Sequence, residues 1–334
     1  MEFRELGRTG IKVSAIGLGT WQWGAREWGW GRDYGRAEVF AAFQKALELG
    51  INFIDTAEIY GWGKSERLVG EAIKGHREEV VVATKVWPWN LTARRLIRAS
   101  DRSARRLGID TIDLYQIHWP NPILPIRSTM KTMRRMVHLG KVRSVGVSNF
   151  NLARTKTAQE ALSPLALASN QVKYNLIDRK IEADLLPYAQ DANVTIIAHT
   201  PLSRSLLTGK FSPKGKPASL AQAASPKFSP RSLARIKNLQ ETVSAISAAH
   251  NKTPAQIALN WLISKQNVIA IPGTKTPKHV TDNAGAVGWR LTESECRELE
   301  SAASGMTADK LGMIPNLLNA LIHEIIPTGR STSN

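Results

Sequence analysis

Eight short apolar runs of strand length recur along the chain, and nearly all are followed by a segment of helical character. The runs begin at about residues 15, 52, 80, 113, 142, 166, 194 and 268. Short runs that are apolar throughout are typical of parallel strands buried on both faces. Eight strand–helix units in one chain predict an α/β fold of the (β/α)8 TIM barrel type. An open doubly wound sheet is the alternative, but no Gly-x-Gly-x-x-Gly motif opens a helix after a strand.

The segments between and after these runs complete a single-domain plan for residues 1–334. Helices are predicted at 36–49, 64–74, 92–107, 126–139, 151–161, 180–192, 231–249, 254–264, 277–285 and 292–301. Residues 2–14 are predicted to form a hairpin ahead of the barrel. Residues 203–230 are rich in Ser, Pro, Lys and Gly and are predicted to form a long cofactor or lid loop. The tail, 303–334, has apolar residues at helical spacing over 311–326, which would pack on the barrel or form a dimer seam.

Composition and the absence of a signal-like segment indicate the class of the protein and its compartment. It has 334 residues, 43% of them apolar, which suits a protein with a sizeable core. Cys296 is the only cysteine, so neither an internal disulfide nor a cysteine-based metal site is expected. The N-terminus has no apolar signal core and no run reaches transmembrane length. We expect a cytoplasmic protein without a metal or membrane insertion, present as a monomer or weak homo-oligomer.

The chain is strongly basic, with a formal net charge of +17. Part of the excess is local, because six arginines lie between Arg94 and Arg106 and a second basic cluster runs from Arg127 to Arg143. Both clusters fall on predicted helices, at spacings that place most of the side chains toward solvent. This favours the interpretation that they are the solvated outer faces of these helices. A polyanion-binding surface is the alternative. No motif for specific nucleic-acid binding accompanies the charge.

Polar residues follow the predicted strands at the points where the strands end. In a barrel these ends meet at one mouth, where the chemistry of such folds occurs. Singly, each of these residues has an ordinary structural explanation, such as a turn, a cap or a satisfied core histidine. Together, an acid, a phenol, an ammonium and an imidazole in one apolar cup predict a proton-transfer site. The acid, phenol, ammonium and imidazole are those of Asp55, Tyr60, Lys85 and His118. Asn149, Gln171 and His199 also stand at or just past the ends of predicted strands.

From about residue 3 to about residue 305 the chain resembles the aldo-keto reductases, and most closely the prokaryotic-type members. The resemblance rests on motifs in the family's order: Asp55-Thr56-Ala57 with Tyr60-Gly61, Thr84-Lys85, Asp113-Leu114-Tyr115 with His118, Gly146-Val147-Ser148-Asn149-Phe150, Asn170-Gln171-Val172 with Tyr174-Asn175, and Ile271-Pro272-Gly273 with Asn283.

The resemblance implies a reduction of aldehydes or ketones to alcohols with a nicotinamide cofactor. Tyr60 would be the general acid, and Lys85, paired with Asp55, would lower the pKa of its phenol. His118 would hold the carbonyl oxygen of a small-molecule substrate. Some barrels of this family serve as redox-sensing regulatory subunits with little turnover, and that function is the alternative.

The resemblance also implies a cofactor site, with NADPH expected and NADH as the alternative. Ser148, Asn149 and Gln171 would bind the carboxamide, and His199 stands where the family usually stacks a tyrosine on the nicotinamide. At the phosphate end, Gly273 and His279 replace the usual Lys and Arg, although the segment stays basic. The remaining expected cofactor contacts are Gly19, Thr20, Trp21, Asp55, Thr200, Pro201, Leu202, Arg204, Lys210, Ile271, Thr274, Lys275, Asp282 and Asn283.

Seven of the ten tryptophans lie in or near loops at the predicted mouth. This clustering predicts a flat, apolar-walled substrate pocket. We expect Trp21, Trp87 and Trp119 to lie nearest the reacting groups.

Overall fold

The structure, a computed structural model, describes residues 1–90, 92–209 and 230–304. It contains the predicted barrel, preceded by a two-stranded hairpin of β1 (Phe3–Glu5) and β2 (Lys12–Ser14). Eight parallel strands follow in chain order: β3 (Leu18–Gly19), β4 (Phe53–Asp55), β5 (Val81–Val86), β6 (Ile112–Ile117), β7 (Val142–Ser148), β8 (Ser169–Lys173), β9 (Thr195–His199) and β10 (Val268–Ile271).

The sheet closes on itself where its first and last strands meet. Parallel bridges join Ile16 to Ala270 and Gly19 to Gly273. The Gly19 amide donates to the carbonyl of Pro272 at 3.1 Å. A Cβ atom on Gly19 would lie 2.9 Å from the carbonyl oxygen of Ile271, so glycine permits this close approach. Closure leaves the barrel without an exposed edge strand.

The hairpin plugs the end of the barrel at which the strands begin. Leu6, Ile11 and Val13 form one buried cluster with strand residues that include Phe53 and Ile269. The Gly7 amide donates to the Thr195 hydroxyl at 2.8 Å, at the start of β9. The opposite end, where the strands finish, is therefore the end that can hold a functional site.

The helices pack around the sheet and bury most of the remaining apolar side chains. Their bounds follow the predictions closely: α1 (Arg36–Glu48), α2 (Lys64–Ala72), α3 (Ala93–Leu107), α4 (Ile126–His138), α5 (Leu152–Leu162), α6 (Leu185–Asp191), α7 (Pro230–His250), α8 (Pro254–Ser264), α9 (Pro277–Ala284) and α10 (Glu293–Ala302).

Two predicted elements differ from the observed ones. The helix expected over 180–192 is a 3-10 turn, Lys180–Ala183, followed by α6, because the Asp184 side chain accepts from the Leu185 amide and begins a new helix. The strand expected near 166–170 is β8, which starts three residues later. Leu167 and Ala168 are as buried as the strand itself, so the apolar run alone could not mark its start.

Parts of the predicted lid loop and tail lie outside the described residues. Of the loop, Ser203–Thr208 forms a 3-10 helix, whereas Lys210 falls outside, as does the apolar stretch 311–326. Within the described ranges, no helix has the length and apolar character needed to cross a membrane.

Candidate active site

The polar residues of the mouth continue the inward-facing series of the strands. Side chains alternate between faces along a strand, and Phe53, Ala83, Leu114 and Ile197 fill the barrel interior. Two residues beyond each of these, on the same face, stand Asp55, Lys85, Gln116 and His199. The inward-facing side chains thus change from apolar in the barrel interior to polar at its carboxyl-terminal end.

A buried ion pair forms the centre of this layer. The Lys85 ammonium lies 2.5 Å from Oδ1 of Asp55 and donates to the Thr56 carbonyl at 2.8 Å. Both side chains are almost fully inaccessible to solvent. Burial is the largest single influence and disfavours the ammonium, but Asp55 and then Tyr60 together outweigh it, and the pKa of Lys85 is raised. Lys85 therefore remains charged.

The phenol of Tyr60 lies beside this ion pair. Lys85 donates to its oxygen at 3.3 Å, and the ammonium lies 4.9 Å from the centre of its ring. Tyr60 lies on a turn that follows β4, so the closed sheet brings it over the end of β5. A fixed cation beside the oxygen favours the phenolate that remains when the phenol gives up its proton.

Two amides hold the other oxygen of Asp55. Gln171 donates to Oδ2 at 2.7 Å and Gln116 donates to the same atom at 3.4 Å. The carboxylate is thus fixed by β5, β6 and β8 together. Gln116 was not among the predicted site residues, although its place two residues before His118 on an inward face was a usable signal.

His118 is a neutral imidazole against the Tyr60 ring. The two rings meet edge to face with centroids 5.7 Å apart. Burial, and then the charge of Lys85, hold the pKa of His118 well below its usual value. Its Nδ1 atom is buried and has no hydrogen-bond partner among the described residues. Such a group can hold a neutral oxygen without adding a second positive charge.

His199 is linked to Asn149 by a hydrogen bond that fixes its tautomer. The Asn149 amide nitrogen donates to the His118 carbonyl at 3.0 Å, so its oxygen, Oδ1, faces Nε2 of His199 at 3.2 Å. An amide oxygen only accepts, so Nε2 carries the proton and Nδ1 accepts from the Thr200 hydroxyl at 2.9 Å. Burial, and then the charges of Lys173 and Lys85, lower the pKa of His199 to about 3, which keeps the ring neutral.

Aromatic side chains wall the mouth. The Trp21 ring stacks on Tyr60 with centroids 6.1 Å apart, and Trp87 meets His118 edge to face at 5.6 Å. Trp119 directly follows His118 and is half-buried. By contrast, Trp23 is fully buried and donates to the Thr274 carbonyl, so it serves the packing.

The groups expected to bind a carboxamide are held in place by one another. The Ser148 hydroxyl donates to the Gln171 carbonyl at 2.8 Å and accepts from Asn149 at 3.1 Å. Asn149 adopts a left-handed backbone conformation with φ of 60°, which is uncommon outside glycine. Strain of this kind persists where the surroundings fix it, often at functional sites.

The loops after β9 and β10 offer free polar atoms for the phosphate end of a nucleotide. The hydroxyls of Ser203 and Thr274 are buried and have no hydrogen-bond partner among the described residues. These loops follow neighbouring strands, so both hydroxyls lie at the mouth end of the barrel. A Cβ atom on Gly273 would lie 2.1 Å from the Gln22 amide nitrogen, so that side chain covers the position. The residues present fit a nucleotide at this edge.

Three other residues that were expected to contact the cofactor make contacts within the protein. Thr20 donates to the Asp55 carbonyl at 2.9 Å, and Gly19 helps to close the barrel. The Lys275 ammonium donates to the Trp28 carbonyl at 2.6 Å and lies over the Tyr34 ring, so the loop after β3 engages it.

The remaining expected contacts lie around the same edge. Asn283 is buried on α9, where Lys278 pairs with Asp282 at 3.3 Å. The His279 amide donates to the Thr276 hydroxyl at the start of that helix. Pro201 and Ile271 are buried, while Leu202 and Arg204 are half-buried. Burial lowers the pKa of Arg204.

Glu58 was not among the predicted site residues, although it joins the loop after β4 to the loop after β5. Its Oε1 atom accepts from the Trp87 amide at 2.6 Å and from the Asn90 side chain at 3.0 Å. Glu58 lies three residues after Asp55, in the same motif, and that spacing was the available signal. It positions the loop that carries Trp87.

The chain is thus a closed parallel (β/α)8 barrel with a buried Lys–Asp pair beside a phenol at its carboxyl-terminal mouth. The model of the "Aldo/keto reductase family" matches residues 15–304. The chain belongs to this family, and it is accordingly an oxidoreductase.

Individual relatives agree with this assignment. An uncharacterized oxidoreductase of Mycobacterium tuberculosis is 41% identical over 87% of this chain and 90% of its own length. Methylglyoxal reductase YeaE of Escherichia coli is 35% identical over 87% of this chain and 92% of its own. An aldo-keto reductase of Klebsiella pneumoniae, crystallised with NADPH, superposes with a TM-score of 0.73 at 31% identity, covering 90% and 95% of the two chains.

Proposed function

We propose that this protein reduces aldehydes or ketones to alcohols with NADPH, and that Tyr60 supplies the proton. The observation that carries the proposal is the Tyr60 oxygen 3.3 Å from an ammonium that is itself held 2.5 Å from the Asp55 carboxylate. A phenol is a weak acid, with an ordinary pKa of about 10. The adjacent cation stabilises the phenolate, so proton donation to a developing alkoxide becomes favourable.

His118 holds the carbonyl oxygen in this scheme. Because its imidazole is neutral, it donates a hydrogen bond without competing with Tyr60 as the acid. The edge-to-face contact at 5.7 Å keeps the two side chains on one oxygen position. Trp21 and Trp87 exclude water around that position, which strengthens the electrostatic interactions there.

NADPH, when bound, supplies the hydride for the carbonyl carbon. Asn149, Ser148 and the oxygen of Gln171 would hold its carboxamide, and His199 would lie against the ring. Ser203 and Thr274 would donate to phosphate oxygens, and Asn283 would lie near the adenine. Support for NADPH in this chain comes from the basic residues around α9 and from the Klebsiella pneumoniae enzyme, which was crystallised with that cofactor.

Fluorescence titration of the protein with NADPH and with NADH tests the cofactor, and turnover of an aldehyde panel that includes methylglyoxal tests the reaction. We expect tighter binding of NADPH and oxidation of the bound nucleotide when an aldehyde is added. Tight binding without turnover would favour the alternative, a redox-sensing regulatory subunit. No binding of either nucleotide would contradict the proposal.

A further inference from the structure

The excess positive charge of this chain is confined to two short segments. Residues 93–143 carry twelve Lys and Arg against three Asp and Glu, and residues 210–235 carry six against none. In the rest of the chain the two signs nearly balance, at 27 against 25. Charge that served solubility alone would be spread over the surface with both signs mixed. Its concentration on α3 and α4 indicates a surface for an anionic partner.

Several cations of this region have no internal counterpart. Lys141 pairs with Asp101, and Arg143 pairs with the buried Asp113. Five others are solvent-facing, and their side chains make no hydrogen bond or ion pair with any residue that the structure describes: Arg94, Arg98, Arg105, Lys131 and Arg135.

These free cations form stripes on neighbouring helices. Arg94 and Arg98 lie one turn apart on α3, and Lys131 and Arg135 lie one turn apart on α4. The two helices pack side by side on the barrel. Arg94 lies in the first turn of α3, and Arg98 and Lys131 lie in the second turns of their helices. These three cations are therefore close to the end of the barrel that carries the mouth.

The adjacent mouth loops expose large apolar side chains to solvent. Trp62, Trp89 and Ile123 are 62%, 47% and 77% exposed, in the loops that follow β4, β5 and β6. The loops after β5 and β6 are tied together, because the Asn121 side chain donates to the Pro88 carbonyl at 2.8 Å.

The exposed apolar side chains and the free cations lie together at one edge of the barrel. Arg95 donates to the Trp89 carbonyl at 3.4 Å, which joins the first turn of α3 to the loop after β5. We call this edge the basic rim and define it by Trp62, Trp89, Ile123, Arg94, Arg98 and Lys131.

We propose that the basic rim docks the protein on an anionic membrane surface. Lys and Arg are attracted to anionic headgroups, and tryptophan prefers the boundary between headgroups and acyl chains. Ile123 is the most exposed large apolar side chain that the structure describes. It gains by entering that boundary and offers nothing to a phosphate or a base. Single-stranded nucleic acid would use the cations and the indoles but not Ile123.

Docking of this kind goes beyond the proposed reduction and does not depend on it. Trp89 is two residues from Trp87, which contacts His118, so the mouth opens beside the docked edge. The basic rim contains no residue of the Tyr60 site, and nucleotide binding can be measured separately on every variant.

Co-sedimentation with phosphatidylcholine vesicles, with and without phosphatidylglycerol, tests the proposal on the full-length protein. The test variant is R94Q/R98Q/K131Q. A charge-matched control is R8Q/K12Q/K74Q, which changes three exposed cations at the opposite end of the barrel whose side chains pair with no described residue. Ile123→Ser separately tests the apolar contact. Thermal unfolding and NADPH titration on each variant check that the fold and the nucleotide site are intact.

We expect wild type to bind only the vesicles that contain phosphatidylglycerol and to be released by salt. The rim variant should bind roughly a hundredfold more weakly, since each cation near the surface contributes separately. The control variant should lose far less, because its charges lie beyond a screening length of about 10 Å. Ile123→Ser should weaken binding without changing its dependence on salt.

Three results would overturn the proposal. One is no binding to phosphatidylglycerol vesicles at low salt, and another is an equal loss in the rim and control variants. The third is binding of a single-stranded oligonucleotide through the rim cations without vesicle binding, which would assign the surface to nucleic acid. None of these outcomes bears on NADPH binding or turnover.

Discussion

At the scale of single residues, the proposed reaction depends on one buried cation, Lys85. Replacing Lys85 with Met removes the charge beside the Tyr60 oxygen and leaves the Asp55 carboxylate buried without its partner. We expect turnover to fall by about 10²- to 10⁴-fold, the usual range for acid–base catalysis. We also expect a loss of about 3–5 kcal/mol in the free energy of unfolding, because a lone buried charge is costly. Steady-state kinetics and urea unfolding measure the two effects.

A second substitution separates those effects. Adding Asp55→Asn to Lys85→Met removes the stranded charge, so much of the lost stability should return while turnover stays low. If turnover returned with stability, the role of Lys85 would be structural only. Full activity in Lys85→Met alone would also contradict its assignment.

His199 allows a test of how the mouth is positioned for the nucleotide. His199→Phe keeps an aromatic face but removes the Nε2 donor to Asn149. Loss of one neutral hydrogen bond, worth about 1 kcal/mol, should raise the Kd for NADPH about fivefold. Thr200→Val, which removes the hydroxyl on Nδ1 of His199 and leaves the Asn149 bond that fixes the tautomer, should give a smaller change in the same direction. Fluorescence titration measures both, and unchanged affinity in His199→Phe would exclude a positioning role.

At the scale of secondary-structure elements, the closure between β3 and β10 depends on a glycine. In Gly19→Ala the new methyl group would meet the backbone oxygens of Ile271 and Pro272 at 2.9 and 3.1 Å, and backbone cannot move aside as a side chain can. We expect a loss of about 1–3 kcal/mol in the free energy of unfolding.

Gly35→Ala is the matched control for this change. A Cβ there would meet only a carboxylate oxygen of Glu38, at 3.7 Å. Gly35 is the N-cap of α1, where alanine is less favourable than glycine, so we expect a loss below about 1 kcal/mol in the same urea titration. Equal effects in the two variants would show that the close approach at Gly19 does not limit stability.

Elements were the features that the sequence predicted best. Apolar runs followed by helical periodicity identified all eight barrel strands, and the hairpin followed from its turn residues. The break at Asp184 was missed because its cause is a single capping contact, which periodicity does not record. The early start predicted for β8 has its cause in Leu167 and Ala168, which precede the strand and are as buried as the strand itself.

The candidate site was predictable in its members but not in its contacts. Strand ends indicated Asp55, Lys85 and His118. The amides of Gln116 and Gln171 on Asp55, and the pairing of His199 with Asn149, join residues far apart in sequence and need the closed barrel to be seen. Lys275 was expected to serve the phosphate end, but its engagement by Trp28 depends on how the loop after β3 folds.

At the scale of the whole molecule, two neutral histidines of the mouth, His118, which is buried, and His199, which is half-buried, make the free energy of unfolding depend on pH. The pKa values of His118 and His199 lie below the ordinary 6.5. The unfolded chain therefore takes up protons below pH 6.5 that the folded protein does not. Stability is full above that pH and falls as the pH drops toward about 3, by up to about 1.4 kcal/mol per pH unit for each histidine.

Urea unfolding at several pH values, with wild type and His199→Gln compared, measures this dependence. Glutamine does not titrate, so the slope of the free energy of unfolding against pH should be smaller in the variant by the contribution of about one proton. Carboxylates such as Glu295 contribute equally to the slope in both proteins. Identical slopes would show that His199 titrates normally in the folded state.

The proposed role of Tyr60 as the proton donor is tested most directly by the oxidation of NADPH by wild type and by Tyr60→Phe, with methylglyoxal as the carbonyl. Phenylalanine keeps the ring against Trp21 and His118 and removes only the hydroxyl that Lys85 contacts. We predict that both proteins bind NADPH with similar Kd and that the variant turns over at least about a hundredfold more slowly. Turnover at the wild-type rate in Tyr60→Phe would contradict it.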